Sequence, residues 1–125
     1  MSAFLIVLNP RGVINALVNG KALAGAEEVL DALATQLGVP PLMDFYSTNP
    51  DNLPEEVAAL VATFSEEWFE AGAGLTTIRA LLSYLENHSL EGINTGAVMI
   101  DLMQFEQVLT KAAAQGVRWH LEVDY

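Results

Sequence analysis

The chain has 125 residues with 16 acidic and five basic side chains, and it contains no cysteine. One domain is expected for this length, and an apolar content of 52% excludes intrinsic disorder. The lack of cysteine excludes disulfides, zinc–thiolate sites, iron–sulfur clusters and cysteine nucleophiles.

The net charge of −11 arises from a shortage of bases and is unevenly distributed along the chain. Residues 1–26 contain Arg11 and Lys21 but no acid, whereas residues 27–125 contain all 16 acids and three bases. A field of this sign repels nucleic acids and anionic membranes and attracts basic proteins. We therefore expect a protein partner with a basic surface, and no nucleic-acid or membrane partner.

The first predicted element is a strand over residues 3–8, an apolar run that contains β-branched and aromatic side chains. The run is too short for a signal peptide or a membrane span, which favours a cytoplasmic protein. Asn9 fits the N-cap of a helix and Pro10 its first position. The spacing of Ile14, Leu17 and Val18 predicts that this first helix continues to Asn19.

A second helix is predicted over residues 23–37, where leucines and Ala26 recur at intervals of three and four. Gly38 suits the position after the helix, and Pro40 prevents its continuation. Residues 42–46 are irregular, and a short third strand is one interpretation of them. Pro54 opens a third predicted helix, which extends to Phe64.

Residues 65–74 are predicted to form a loop or a single turn, followed by an amphipathic helix from Leu75 to Leu85. Asp101 and Gln104 have the spacing of a capping box for a last helix that stops at Gly116. Residues 98–101 fit either a strand or the first turn of that helix.

The C-terminal segment 117–125 alternates apolar and polar residues, which is typical of a half-buried strand. Few other strands are predicted, so we expect the two terminal strands to pair with each other. The predicted fold is a single α+β domain over residues 1–125, with about five helices packed on this small sheet.

The polar face of the last strand offers the strongest candidate for a metal site. His120 and Glu122 share one face with Cα atoms about 7 Å apart, and histidine with carboxylates suits zinc, manganese or iron. A third ligand would come from elsewhere in the chain, with Asp44, Glu66, Glu67 and His88 as candidates. A solvated strand face is the default for such alternation, so we predict no metal site and keep His120 and Glu122 only as weak candidates. A salt bridge between His120 and Arg118 is a further alternative.

Trp68 and Phe69 are adjacent large aromatics in an acidic segment, and they cannot both face one core from a regular element. Either both anchor the loop, or one of them contacts a partner, since tryptophan is enriched in interface hot spots. We therefore group Trp68, Phe69, Arg118 and His120 as candidate binding residues.

No nucleophile or phosphate-binding motif occurs in the sequence, so we predict no catalytic residue and no cofactor. The leading hypothesis is a non-enzymatic interaction or regulatory module, such as an accessory, inhibitor or immunity-type protein. The alternative is a small metal-assisted or carboxylate-based hydrolase centred on the C-terminal strand. A homodimer is compatible with both hypotheses.

Overall fold

The computed structural model describes residues 3–48, 55–56 and 66–124, and it confirms an α+β fold. Four α-helices and a short 3₁₀ helix in this part of the chain accompany a two-stranded antiparallel sheet. In chain order the elements are β1 (Ala3–Asn9), α1 (Lys21–Gly25), α2 (Glu27–Leu37), the 3₁₀ helix (Leu42–Phe45), α3 (Ala71–Leu85), α4 (Thr95–Gln115) and β2 (Arg118–Asp124).

The two terminal strands pair with each other, as the sequence predicts. Ala3 lies opposite Asp124 and Asn9 opposite Arg118. Because directly opposed residues share a face of an antiparallel pair, the side chains divide into two sets. The core face carries Phe4, Ile6, Leu8, Trp119 and Leu121, which are all buried.

The helices cover the core face of the sheet. α3 packs along α4, α1 contacts β1 and α4, and α2 contacts α3. Their buried apolar side chains complete one core, which includes Leu23, Leu30, Leu33, Ile78, Leu81, Leu102, Phe105 and Leu109. None of the helices among the described residues is both long and apolar enough to cross a bilayer.

Two predicted helix ends are confirmed by backbone conformation. Gly38 follows α2 with φ of 77°, and Gly116 follows α4 with φ of 66°. This left-handed conformation is strained for residues with a Cβ atom and common for glycine after a helix.

The helix predicted from Pro10 to Asn19 is wrong. This segment runs back beside β1 without helical structure and rejoins the strand where the carbonyl of Gly20 accepts from Phe4 N at 3.0 Å. Its side chains alternate between half-buried and exposed, and Leu17 is 87% exposed. The apolar residues therefore follow an extended period of two rather than a helical stripe.

The region between α2 and α3 also differs from the prediction. Residues 42–45 form a 3₁₀ helix instead of a strand, and only Tyr46 makes an isolated bridge, to Leu121 of β2. Glu55 and Glu56 are helical, but the rest of the helix predicted from Pro54 to Phe64 lies outside the described residues. α3 begins at Ala71 rather than Leu75, so part of the predicted loop is helical.

α4 begins earlier than predicted, which gives Asp101 a different role. Asn94 caps α4, with its Oδ1 accepting from Ala97 N at 3.1 Å, so residues 98–101 are helical. Asp101 is buried in mid-helix and its Oδ2 accepts from Ala22 N at 3.0 Å and from Leu23 N at 3.3 Å. Asp101 therefore satisfies the first amides of α1 rather than of its own helix.

We expect Asp101→Ala to lower the free energy of unfolding by about 1–3 kcal/mol, because two amides at the start of α1 lose their acceptor. Asp101→Asn keeps an acceptor oxygen and should cost less. Urea denaturation near neutral pH compares the two variants. Equal losses would show that the hydrogen bonds to α1 do not matter.

The burial of Asp101 also predicts that the free energy of unfolding depends on pH. Burial raises the pKa of Asp101 above the ordinary 3.8, and the hydrogen bonds from Leu23 and Ala22 oppose that shift. The folded state therefore binds a proton at the Asp101 carboxyl more tightly than the unfolded state does. This difference contributes most to the free energy of unfolding below pH 3.8, and the contribution is lost as pH rises through the raised pKa. The stability of Asp101→Asn relative to wild type should therefore improve as pH rises. A difference that is constant with pH would contradict this.

Candidate metal centre

Two segments from the middle of the chain cover the edge of β2 that does not face β1. Ser47 N donates to Leu121 O at 3.1 Å. Phe69 pairs with Trp119 in both directions, with N–O distances of 2.7 and 3.0 Å. Residues 66–68 lead into this pairing and are thereby held beside the polar face of β2.

This arrangement buries His120 completely, with an exposed fraction of 0%. The ring stacks on Trp68 with a centroid distance of 4.3 Å and an interplanar angle of 22°. The interpretation of this strand face as solvated is therefore wrong at His120, although Arg118 and Asp124 on the same face are exposed. The predicted alternation of β2 itself is correct, but residues 66–68 add a cover that alternation does not reveal.

Three side chains converge at His120. Its Nε2 lies 2.9 Å from Oε2 of Glu122 and 3.7 Å from Oε2 of Glu66. The ligand-type atoms of these three residues all lie within 4.8 Å of one another. The side chains of Glu66 and Glu122 are only 20% and 17% exposed, so the cluster is largely shielded from water.

Hydrogen bonding defines the tautomer of His120. Nδ1 lies 2.9 Å from the carbonyl oxygen of Glu67, and because a carbonyl only accepts, Nδ1 must carry the proton. Nε2 then faces a carboxylate oxygen of Glu122, and two lone pairs at 2.9 Å would repel. A proton or a metal ion must therefore lie between Nε2 and this carboxylate.

Further contacts orient the cluster. Thr48 Oγ1 donates to Oε1 of Glu122 at 3.2 Å, which leaves Oε2 directed at the histidine. Ser47 Oγ accepts from Glu67 N at 2.8 Å and so holds the backbone of the residue whose carbonyl accepts from Nδ1 of His120. Oε2 of Glu66 is buried and accepts no hydrogen bond from the described residues. The cluster thus contains one carboxylate oxygen that lacks a donor.

The structure brings one of the four predicted third ligands to His120 and Glu122. Glu66 joins the cluster, whereas Glu67 contributes only its carbonyl and Asp44 is exposed. His88 is exposed after α3, where it stacks on Tyr84 with a centroid distance of 4.2 Å. Sequence reasoning does not find Thr48, because a single threonine outside any motif carries no signal of its contact with Glu122.

The candidate binding residues do not form one surface. Phe69 is half-buried and packs edge-on against Phe45 at 5.5 Å, so it anchors the segment. Arg118 is exposed and forms an ion pair with Glu70 at 3.3 Å instead of a salt bridge with His120. Trp68 and His120 meet in the cluster.

Comparisons of the chain with protein-family models, with curated proteins and with solved structures found no match.

Proposed function

We propose that this protein binds one divalent transition-metal ion of the zinc type through Glu66, His120 and Glu122. The observation that carries the proposal is the convergence of the three ligand atoms within 4.8 Å around a fully buried histidine. The unsatisfied Oε2 of Glu66 supports it, because a cation would supply the missing partner.

The donor set favours zinc, manganese or iron over magnesium and calcium. Imidazole nitrogen is a good ligand for the former group, whereas Mg²⁺ and Ca²⁺ prefer all-oxygen sites. Three protein ligands would leave a fourth tetrahedral position for water or another group. The hydrogen bond from Nδ1 of His120 to a backbone carbonyl is the second-shell contact that metal-bound histidines usually make.

The two distances from His120 Nε2 to the carboxylates are close to those of a zinc site. Zinc bonds of about 2.0–2.1 Å in tetrahedral geometry separate two ligand atoms by roughly 3.3 Å. Glu66 Oε2 lies 3.7 Å from Nε2 and Glu122 Oε2 lies 2.9 Å from it. A shift of each carboxylate by a few tenths of an ångström would bring these two distances to the value for zinc.

Isothermal titration with zinc chloride tests the proposal. The wild type should bind one ion, and Glu66→Gln should weaken binding at least about a hundredfold, since even second-shell changes cost 10–100-fold. Glu70→Gln is the matched control, because Glu70 lies in the same segment but pairs with Arg118 outside the cluster. An absence of zinc binding, or equal weakening by both substitutions, would contradict the proposal.

We favour a binding or stabilising role of the ion over hydrolysis. His120 has no exposed surface and Trp68 covers one face of its ring, which leaves little room for a substrate beside the metal. An ion at this point would join residues 66–69 to β2 and so suits an interaction module. The basic protein partner and the homodimer expected from composition stay predictions.

A further inference from the structure

A groove lies beside β1 and extends over the face of the sheet that carries Val7 and Glu122. It encloses about 320 Å³, which lies at the lower end of the range of about 300–1,000 Å³ for small-molecule sites. Polar and apolar atoms contribute almost equally to its lining, with apolar side chains on most of the lining residues. These are Ile6, Val7, Leu8, Arg11, Gly12, Ile14, Ala16 and Glu122.

The groove exists because the segment after β1 turns back without pairing with the strand. Between Asn9 and Gly20 no backbone hydrogen bond joins this segment to β1 among the described residues, and the first contact is that of Gly20 with Phe4. The alternation of residues 12–17 turns Ile14 and Ala16 toward the gap, while Val13 and Leu17 are exposed. An apolar space therefore remains between the strand and the returning segment.

The two charged residues of the groove differ in their partners. Glu122 is held by Thr48 and His120. Arg11 forms no hydrogen bond or ion pair with any described residue, and the first 26 residues contain no acid that could neutralise it. Arg11 is exposed, so its guanidinium is available to an anionic ligand that enters the groove.

We propose that this groove binds a small organic carboxylate with an apolar body, such as a medium-chain fatty acid. The carboxylate would accept two parallel hydrogen bonds from the Arg11 guanidinium, which is the geometry that arginine favours. The hydrocarbon would lie against Val7, Ile14 and Ala16. Glu122 lines the groove and also belongs to the metal cluster, but the proposed carboxylate contact is with Arg11 and does not require a metal.

Titration of ¹⁵N-labelled protein with octanoate tests the site, with a chelator present so that metal binding plays no part. Octanoate should shift the amides of residues 6–16 in a saturable manner at physiological ionic strength. Octylamine has the same chain and the opposite charge, and it should not bind there. Arg11→Gln should weaken octanoate binding at least tenfold, whereas Lys21→Gln, which removes the other base of the acid-free region, should not.

Three outcomes would overturn the proposal. They are a lack of saturable shifts with octanoate, equal binding of octylamine, and unchanged affinity in Arg11→Gln when its spectrum is that of a folded protein. Because metal is excluded from the titration, none of these outcomes bears on zinc binding at Glu66, His120 and Glu122.

Discussion

Gly74→Ala is expected to lower the free energy of unfolding by about 2–3 kcal/mol, although alanine normally favours a helix over glycine by up to about 1 kcal/mol. A Cβ atom on Gly74 would overlap Cζ2 of Trp119 and would lie 2.7 Å from Cε2 and 2.9 Å from Nε1 of the same ring. Such distances require the indole or α3 to move.

The indole of Trp119 has little freedom to move. Its side chain is fully buried, its ring stacks on Phe45 at 5.2 Å, and its Nε1 donates to Glu70 O at 3.3 Å. Displacement would also disturb the pairing of Trp119 with Phe69, which positions the segment of the metal cluster. The cost of overpacking should therefore exceed the gain in helix propensity.

Gly72→Ala is the matched control for this prediction. A Cβ atom at Gly72 meets nothing within 4 Å, and the residue lies in the same helix. It should stabilise the protein by at most about 0.5–1 kcal/mol through helix propensity, because Gly72 is the second residue of the helix rather than an interior one. Chemical denaturation measures both variants, and a gain in stability for Gly74→Ala would show that α3 and Trp119 are not in close contact.

His120→Phe should destabilise the metal-free protein by about 3–5 kcal/mol, as expected when one partner of a buried charged cluster is removed. Phenylalanine retains an aromatic ring beside Trp68, so the loss of volume is small. The carboxylate of Glu122 loses its partner at 2.9 Å, and the Glu67 carbonyl loses its donor. Two shielded carboxylates would then face each other without the imidazole between them.

Removal of those two charges provides the internal control. Glu66→Gln and Glu122→Gln, added together to His120→Phe, should recover a substantial part of the lost stability, because neutral amides do not repel each other. Urea denaturation in the presence of a chelator gives the comparison. A loss below about 1 kcal/mol for His120→Phe would contradict the cluster as a source of stability.

Local patterns in the sequence were sufficient to predict both strands and two of the helix ends. The apolar run at 3–8 and the alternation at 117–125 predict strands, and Gly38 and Gly116 predict helix ends. The pairing of the terminal strands followed from the lack of other strands. These features depend on periodicity and turn chemistry, which are short-range properties.

The features that failed to emerge from the sequence depend on contacts between distant segments. The burial of His120 results from residues 66–69, which lie more than 50 positions earlier. Asp101 looked like the cap of its own helix, yet it satisfies α1, nearly 80 positions away. Gly74 looked like loop material, but its missing side chain is what admits Trp119 against α3.

The candidate centre was predicted in part. The period of two placed His120 and Glu122 on one face, and Glu66 was one of four candidates for a third ligand. No sequence pattern distinguishes Glu66 from Glu67 as the third ligand. Which of the two faces His120 depends on how the backbone enters the bridge between Phe69 and Trp119.

The most direct test of the metal centre is a long-range ¹H–¹⁵N spectrum of the imidazole nitrogens, recorded before and after one equivalent of zinc. The chain has only two histidines, so His120 and His88 can be assigned with a single substitution. Zinc should shift Nε2 of His120, leave its Nδ1 protonated, and leave the exposed ring of His88 unchanged. Unchanged His120 signals, or a response of His88 alone, would contradict a metal site at Glu66, His120 and Glu122.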